Sequence, residues 1–191
     1  MAPSTSSSSL VMISVVAVLL LLFPVAPALS RSAQAVLAAC KTVGGGSTYF
    51  DVQFCEEAIS SVAGSGADLD YQVFGGLAVG LLADNATNTK AKIDLLLRGG
   101  VKLKAEGDAA VARCLVSCQS LYGGILDGGH ACTAAVKARK LGEAIAILEK
   151  AAAAAKECED GFGKNNVASL LSPEDDDAFK LAKLGVALLK N

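Results

Sequence analysis

The stretch Arg113–Gly124, RCLVSCQSLYGG, sets Cys114 and Cys118 one helical turn apart and Tyr122 one turn further on. The whole chain has six cysteines and a single histidine. Two thiols at this spacing read either as part of a metal or redox centre, or as one disulfide partner beside an extra cysteine. A metal centre needs further thiolate or imidazole ligands, and the candidates in this part of the chain are His130 and Cys132. On a continuous helix Cys132 lies about 27 Å along the axis from Cys114, which excludes both a shared metal and a Cys114–Cys132 bridge. A break within Gly123–Gly129 would fold the segment into a hairpin and reopen that bridge. Alanines resume after the glycines, so the continuous helix is the expectation.

The redox compartment bears on the same question, and the N-terminus addresses it. No charged side chain precedes Arg31, and Leu10–Phe23 is an apolar run interrupted by Ser14 alone. Pro24-Val25-Ala26-Pro27-Ala28-Leu29-Ser30 follows, so residues 1–30 read as a secretory signal peptide cleaved after Ala28 or Ser30. A spanning anchor is the competing reading by length, and the prolines and the cleavage site favour removal. The remainder, 31–191, has the size of one domain. It shows no second stretch that reads as a membrane segment. Outside the cytosol disulfides persist, so the cysteines are a presumptive framework; six allow 15 pairings. A formal net charge of -2 leaves no basic footprint for nucleic acid, and argues against a polyanionic polysaccharide as direct ligand.

Strand signals are nearly absent, and alanine- and leucine-rich helical periodicity punctuated by glycine clusters covers most of the chain. Ala33–Lys41 reads as a short helix, and GGGS (Gly44–Ser47) starts a loop. Asp51 caps a second short helix in which Phe50, Phe54 and Ala58 share a face. Asp68 or Asp70 caps a long helix to about Arg98, with Val73, Leu77, Leu81, Ile93 and Leu97 as its inward stripe. After Gly99-Gly100 and the linker VKLKAEG, Asp108 caps the next helix, which continues to about Arg139. Four glycines weaken it by about 1 kcal/mol each, which predicts a kink or break. A turn at Leu141-Gly142 opens EAIAILEKAAAAAKEC. The last helix begins at SPEDDD, with Ser172 as N-cap, Pro173 at the first helical position and Asp175 at the capping-box-like position. The expected fold is all-α: a four-helix up-and-down bundle (67–191) carrying an N-terminal helical hairpin (31–66).

Catalytic chemistry has little support. Any histidine-dependent mechanism must use His130, and no HExxH, GxSxG or nucleotide loop occurs. Asp175-Asp176-Asp177 suits a helix macrodipole better than a cation cage, and GGGS has neither the strand nor the Lys-Ser/Thr of a phosphate loop. No catalytic residue, metal or cofactor is expected. Asn85-Ala86-Thr87 is an N-glycosylation sequon, so Asn85 is a possible glycan site.

Taken in order, Cys40, Thr48-Tyr49, Cys55, Cys118-Gln119-Ser120-Leu121-Tyr122 and Cys158-Glu159-Asp160-Gly161-Phe162 resemble the plant invertase and pectin methylesterase inhibitor family. Leu171-Ser172-Pro173 leading into AFKLAKLGVALL resembles the family's last helix. The resemblance covers essentially all of 31–191. It implies bridges Cys40–Cys55 and Cys118–Cys158, leaving Cys114 and Cys132 unpaired, and a bundle with a hairpin. Loop closures of about 15 and about 40 residues would stabilise by about 3 and about 4 kcal/mol in the chain-entropy model.

The resemblance also implies function: a non-enzymatic, secreted inhibitor in the apoplast or cell wall, whose partner is a pectin methylesterase or an acid invertase. Pectin methylesterase is the expected target. Invertase-directed members often carry Pro-Lys-Phe ahead of the last cysteine, where this chain reads Lys140-Leu141-Gly142-Glu143-Ala144. The stretch between Cys40 and Cys55 is longer than usual in the family, which predicts a mobile loop. The polar face of Asp70–Arg98 and that of the following helix are the expected contact surface, with no individual contact residue assigned. A non-inhibitory helical module that binds a lipid or another partner is the alternative from a different class. Small lipid-transfer proteins are disfavoured, since they typically carry adjacent Cys-Cys and Cys-x-Cys pairs and this chain has neither.

Overall fold

The computed structural model describes residues 30–64, 70–99 and 106–191, without the side chains of 106–108. The expected signal peptide, Asp68 and most of the VKLKAEG linker lie outside the described residues. Six helices follow one another within the unit Arg31–Asn191: α1 (Arg31–Gly44), α2 (Val52–Val62), α3 (Tyr71–Arg98), α4 (Glu106–Lys137), α5 (Leu141–Lys164) and α6 (Ser172–Leu189). No strand occurs among the described residues.

Local chemistry explains most helix ends. Asp51 and Asp70 have extended backbones and accept through Oδ1 from Phe54 N and Val73 N, each at 2.8 Å, so both are N-caps. α4 starts at Glu106, two residues before Asp108, and runs through Gly123, Gly124, Gly128 and Gly129 without the break that their low helix propensity predicts. Packing on two neighbouring helices outweighs that penalty. The α4–α5 turn precedes Leu141-Gly142. Arg139 takes φ 57°, and the bonds Lys140 N to Ala135 O and Arg139 N to Val136 O close a Schellman motif. Asn166, at φ 52°, ends α5 in the same way.

The expected cap of α6 is displaced. Leu171 occupies the N-cap position without a side-chain bond, while Pro173 sits in the first turn. Ser172 lies within the helix, and its Oγ donates to Glu159 Oε1 of α5 at 2.7 Å.

Pairwise contacts show the arrangement. Gln72, early in α3, donates to Val136 O, late in α4, while Asp94 accepts from Gln119. Cys114 and Cys132 face Gly161 and Ala144 across α4 and α5. Glu149 pairs with Lys183 and Glu159 with Ser172 across α5 and α6. Asn85 and Lys92 of α3 meet Glu174 of α6, whereas a Cβ on Gly75 would run into Leu189. Each long helix is therefore antiparallel to the two it packs on, and α3 to α6 close a ring.

Phe74, Leu82, Ile93, Leu115, Tyr122, Leu148, Phe162 and Leu184 fill the interior. On α3 the inward stripe is Phe74, Ala78, Leu82, Ala86, Thr89 and Ile93 rather than Val73, Leu77, Leu81, Ile93 and Leu97. Val73 is 38% exposed. Both stripes start in fours and they differ by one position, about 100° around the helix, which turns Phe74, Ala78 and Leu82 inward where Val73, Leu77 and Leu81 were expected. The same one-position shift occurs in α2, where Cys55 and Ile59 are buried and Phe54 and Ala58 are half-buried.

The segment Ala109–Lys137 is long and apolar enough to cross a membrane by length and composition. This corrects the expectation that no such stretch follows residue 30. Here Leu115, Cys118, Tyr122, Ile125 and Cys132 of this segment are packed into the bundle.

At one end of the ring the α1–α2 hairpin covers Phe74, Ala78, Leu184 and Leu188 with Val36, Cys40, Phe50, Cys55 and Ile59. A Cβ on Gly44 would lie 3.0 Å from Val52 Cα, so this position requires glycine for the two short helices to approach.

Candidate functional site

The six cysteines separate into two groups. Cys40 and Cys55 are bridged across the hairpin with Cα atoms 5.5 Å apart, and Cys118 and Cys158 bridge α4 to α5 with Cα atoms 4.9 Å apart. Cys114 and Cys132 are free and buried. Their thiols donate to Gly161 O (3.5 Å) and Ala144 O (3.6 Å), near opposite ends of α5. Burial pushes the Cys132 thiol up to about 11, which keeps it protonated and unreactive.

Among the described residues no group of three or more His, Cys, Asp or Glu side chains converges as a metal site. His130 is exposed on α4. Of the three consecutive acids, Asp175 is 2% exposed and turned inward, so it is neither a capping-box residue nor a macrodipole partner in solvent. Tyr122 Oη donates to its Oδ1 at 2.7 Å. Burial, reinforced by the Asp175 charge, holds the Tyr122 phenol well above its ordinary value, so it stays a donor. Asn85 is half-buried against α6, and its Nδ2 donates to Glu174 O at 3.4 Å. A glycan on that nitrogen would have to displace the start of α6.

Surface features distinguish the outer side of α3 and α4. Leu95 is 65% and Val116 55% exposed, the two most exposed of the large apolar side chains among the described residues. The Asp94–Gln119 hydrogen bond places both toward the same end of the helix pair. Asp84, Asn88, Arg98, Arg113, Ser120 and Asp127 are exposed on the same two helices. Exposed apolar side chains accompanied by mixed polar ones are what protein-binding surfaces are built from.

Two arrangements escaped the sequence reading. The longer hairpin loop is pinned: Ser47 Oγ accepts from Tyr49 N (3.1 Å) and Phe50 N (3.4 Å). The Tyr49 ring meets Phe179 edge-on at 5.7 Å and lies under Lys183 Nζ at 4.8 Å, while Glu149 holds that lysine. No local pattern announces a contact between residues so far apart in the chain. The other is the Tyr122–Asp175 pair. Leu171, Asp175, Ala178, Ala182 and Gly185 recur at spacings of four, three, four and three, so the inward position of Asp175 could have been read from periodicity.

A family model described as plant invertase/pectin methylesterase inhibitor matches residues 34–188, from within α1 to the last turn of α6. No curated protein matches the chain.

Proposed function

The chain belongs to the plant invertase/pectin methylesterase inhibitor family, whose members are inhibitors rather than enzymes, and from that premise we propose that it is a secreted inhibitor of pectin methylesterase in the cell wall. The exposed face of α3 and α4 lies across the enzyme's substrate cleft. Inhibition of this kind needs no reacting group in the inhibitor, only a surface that holds its shape. The Cys118–Cys158 bridge behind that face and the filled interior reduce what must be ordered on binding. Leu95 and Val116 are the apolar anchors of the contact, and Arg98 and Arg113 belong to its polar surround. A stable complex of this type buries about 1,600 Å² in total, an area that two long adjacent helices can supply.

The observation that favours the esterase over invertase is the α4–α5 turn. Where it enters α5, Lys140-Leu141-Gly142-Glu143-Ala144 stand where invertase-directed members often carry Pro-Lys-Phe. The left-handed Arg139 and an exposed Gly142 give this corner a backbone unlike one built around proline.

The test is a paired assay on the oxidised protein at mildly acidic pH. Methanol release from pectin by several plant esterase isoforms should be suppressed with defined stoichiometry, and sucrose hydrolysis by acid invertase should not. Leu95→Asp and Val116→Asp should weaken esterase inhibition without lowering thermal stability. Inhibition of invertase alone would reassign the target, and suppression of neither enzyme would refute the reading.

A further inference from the structure

Asp175 sits at the junction of α4, α5 and α6 with one oxygen satisfied by Tyr122. Its Oδ2 is enclosed, as are Oε2 of Glu159 and Oε2 of Glu174, and no amide, amine or hydroxyl donor reaches any of the three atoms. The carboxyl groups of Asp175 and Glu159 line the same groove between α5 and α6, each with one enclosed oxygen that no donor satisfies. Two carboxylates can be joined by a hydrogen bond only when one of them carries a proton. Both ionised, they would repel in a poorly hydrated site.

We propose that Asp175 keeps its proton in the folded protein and donates it to Glu159, making this junction a proton-operated lock that is closed in acid and released when the proton leaves.

The surroundings offer no substitute for the proton. On α4 the facing group is Tyr122, a donor that stays neutral. On α5 it is Glu159, whose other oxygen is taken by Ser172. On α3, Lys92 lies nearby but is held by Glu174 Oε1 at 2.7 Å. On α6 itself Glu174 and Asp176 add negative charge, and Lys180 is held by Asp176 at 2.6 Å. Lys156 of α5 is paired with Asp160. Each of these cations is engaged by a carboxylate other than Asp175. Burial, partly opposed by the Tyr122 hydrogen bond and reinforced by Glu159 and Glu174, pushes the Asp175 carboxyl up to about 7.

The mechanical consequence falls on α6. Glu159 follows Cys158, whose bridge to Cys118 fixes α4 and α5 together one turn before Tyr122. The first turn of α6 has no side-chain cap and is tied to that pair through Asp175 and Ser172. A groove of about 440 Å³ between α5 and α6 is lined among others by Glu159, Ser172 and Asp175. Loss of the proton would leave unscreened carboxylates under the first turn of α6 and loosen it.

The direction with pH follows from linkage. Because the folded-state value is raised above the ordinary carboxylate value, the native state binds more protons than the unfolded chain between about pH 4 and pH 7. The contribution is therefore full below about pH 4 and is lost as pH rises through about 7.

The experiment uses the oxidised inhibitor alone, so its outcome is separate from the identity of the target enzyme. The folding constants of the native sequence and of Asp175→Asn are measured by denaturant titration from pH 4 to 8, and the Asp175 carboxyl is followed by carbon-13 NMR. Their ratio should fall by up to about tenfold per pH unit across the window and level off above it. The carboxyl resonance should titrate near neutrality. In Glu159→Gln, where a neutral amide replaces the accepting charge, the Asp175 midpoint should move to lower pH. This second variant decides the matter if Asp175→Asn does not fold. A ratio independent of pH, an Asp175 midpoint near 4, or a midpoint unchanged by Glu159→Gln would each overturn the proposal.

Discussion

Replacing Gly123, Gly124 and Gly129 together by alanine should make this protein more stable, because α4 passes through them as an unbroken helix. A Cβ built on any of the three meets nothing within 4 Å outside the helix's own backbone, so the substitution adds no clash. In a helix interior each glycine-to-alanine change is worth about 0.5–1 kcal/mol, through reduced backbone entropy in the unfolded chain. The three sites share no contact partner, so their effects should add to about 1.5–3 kcal/mol. For a domain of this size that is a rise of about 3–12 °C in Tm. Gly128 is the internal control. Its Cβ would lie 3.2 Å from Ile147 Cγ2 on α5, so the propensity gain is offset by crowding and Gly128→Ala should be close to neutral. Calorimetry of the oxidised variants reads both results. A triple variant no more stable than the native sequence would mean that α4 is broken at its glycines, and a Gly128→Ala gain as large as the others would refute the placement of Ile147.

The bridges should differ in worth. In the chain-entropy model, Cys118→Ser with Cys158→Ser closes off about 4 kcal/mol and Cys40→Ser with Cys55→Ser about 3, from loops of 40 and 15 residues; guanidinium unfolding of the two double variants should give that order, and the reverse order would argue that hairpin packing depends on its staple more than loop length says. The thiols of Cys114 and Cys132 should resist iodoacetamide in the native protein and react after unfolding, since both are buried and burial holds Cys132 protonated. Rapid native labelling, or an intact mass showing a third bridge, would contradict their separation at the two ends of α5.

Much of this architecture is legible in the chain because it is local. Aspartate before an apolar-periodic run marks the caps at Asp51 and Asp70, and each side chain reaches its own helix's amides. Ser172 departs from the same rule: the helix begins one residue earlier than it predicts, with Leu171 at the N-cap position, and the Ser172 hydroxyl donates to Glu159 on another helix. Arg139 gave no signal for a left-handed turn, since arginine carries no such preference; the antiparallel docking of α5 on α4 imposes the corner. For the proposed contact surface, the family resemblance points to two helices and says nothing of individual side chains. Leu95 and Val116 are apolar residues like many others in the chain until packing leaves them outside.

Helix content, the capped starts of α2 and α3 and the family pattern of cysteines were set by residue spacing alone. Burial of a residue type is a different matter, because it depends on what the other helices bring. Periodicity places Asp175 on an inward stripe, yet a lone aspartate there would be costly in an apolar interior. Only the ring of α3 to α6 brings Tyr122 and Glu159 to it, while Lys92, Lys156 and Lys180 are each paired with another carboxylate. The tertiary structure thus decides the proton state of that side chain, since desolvation and neighbouring charge are properties of the assembled bundle and not of any segment of the chain.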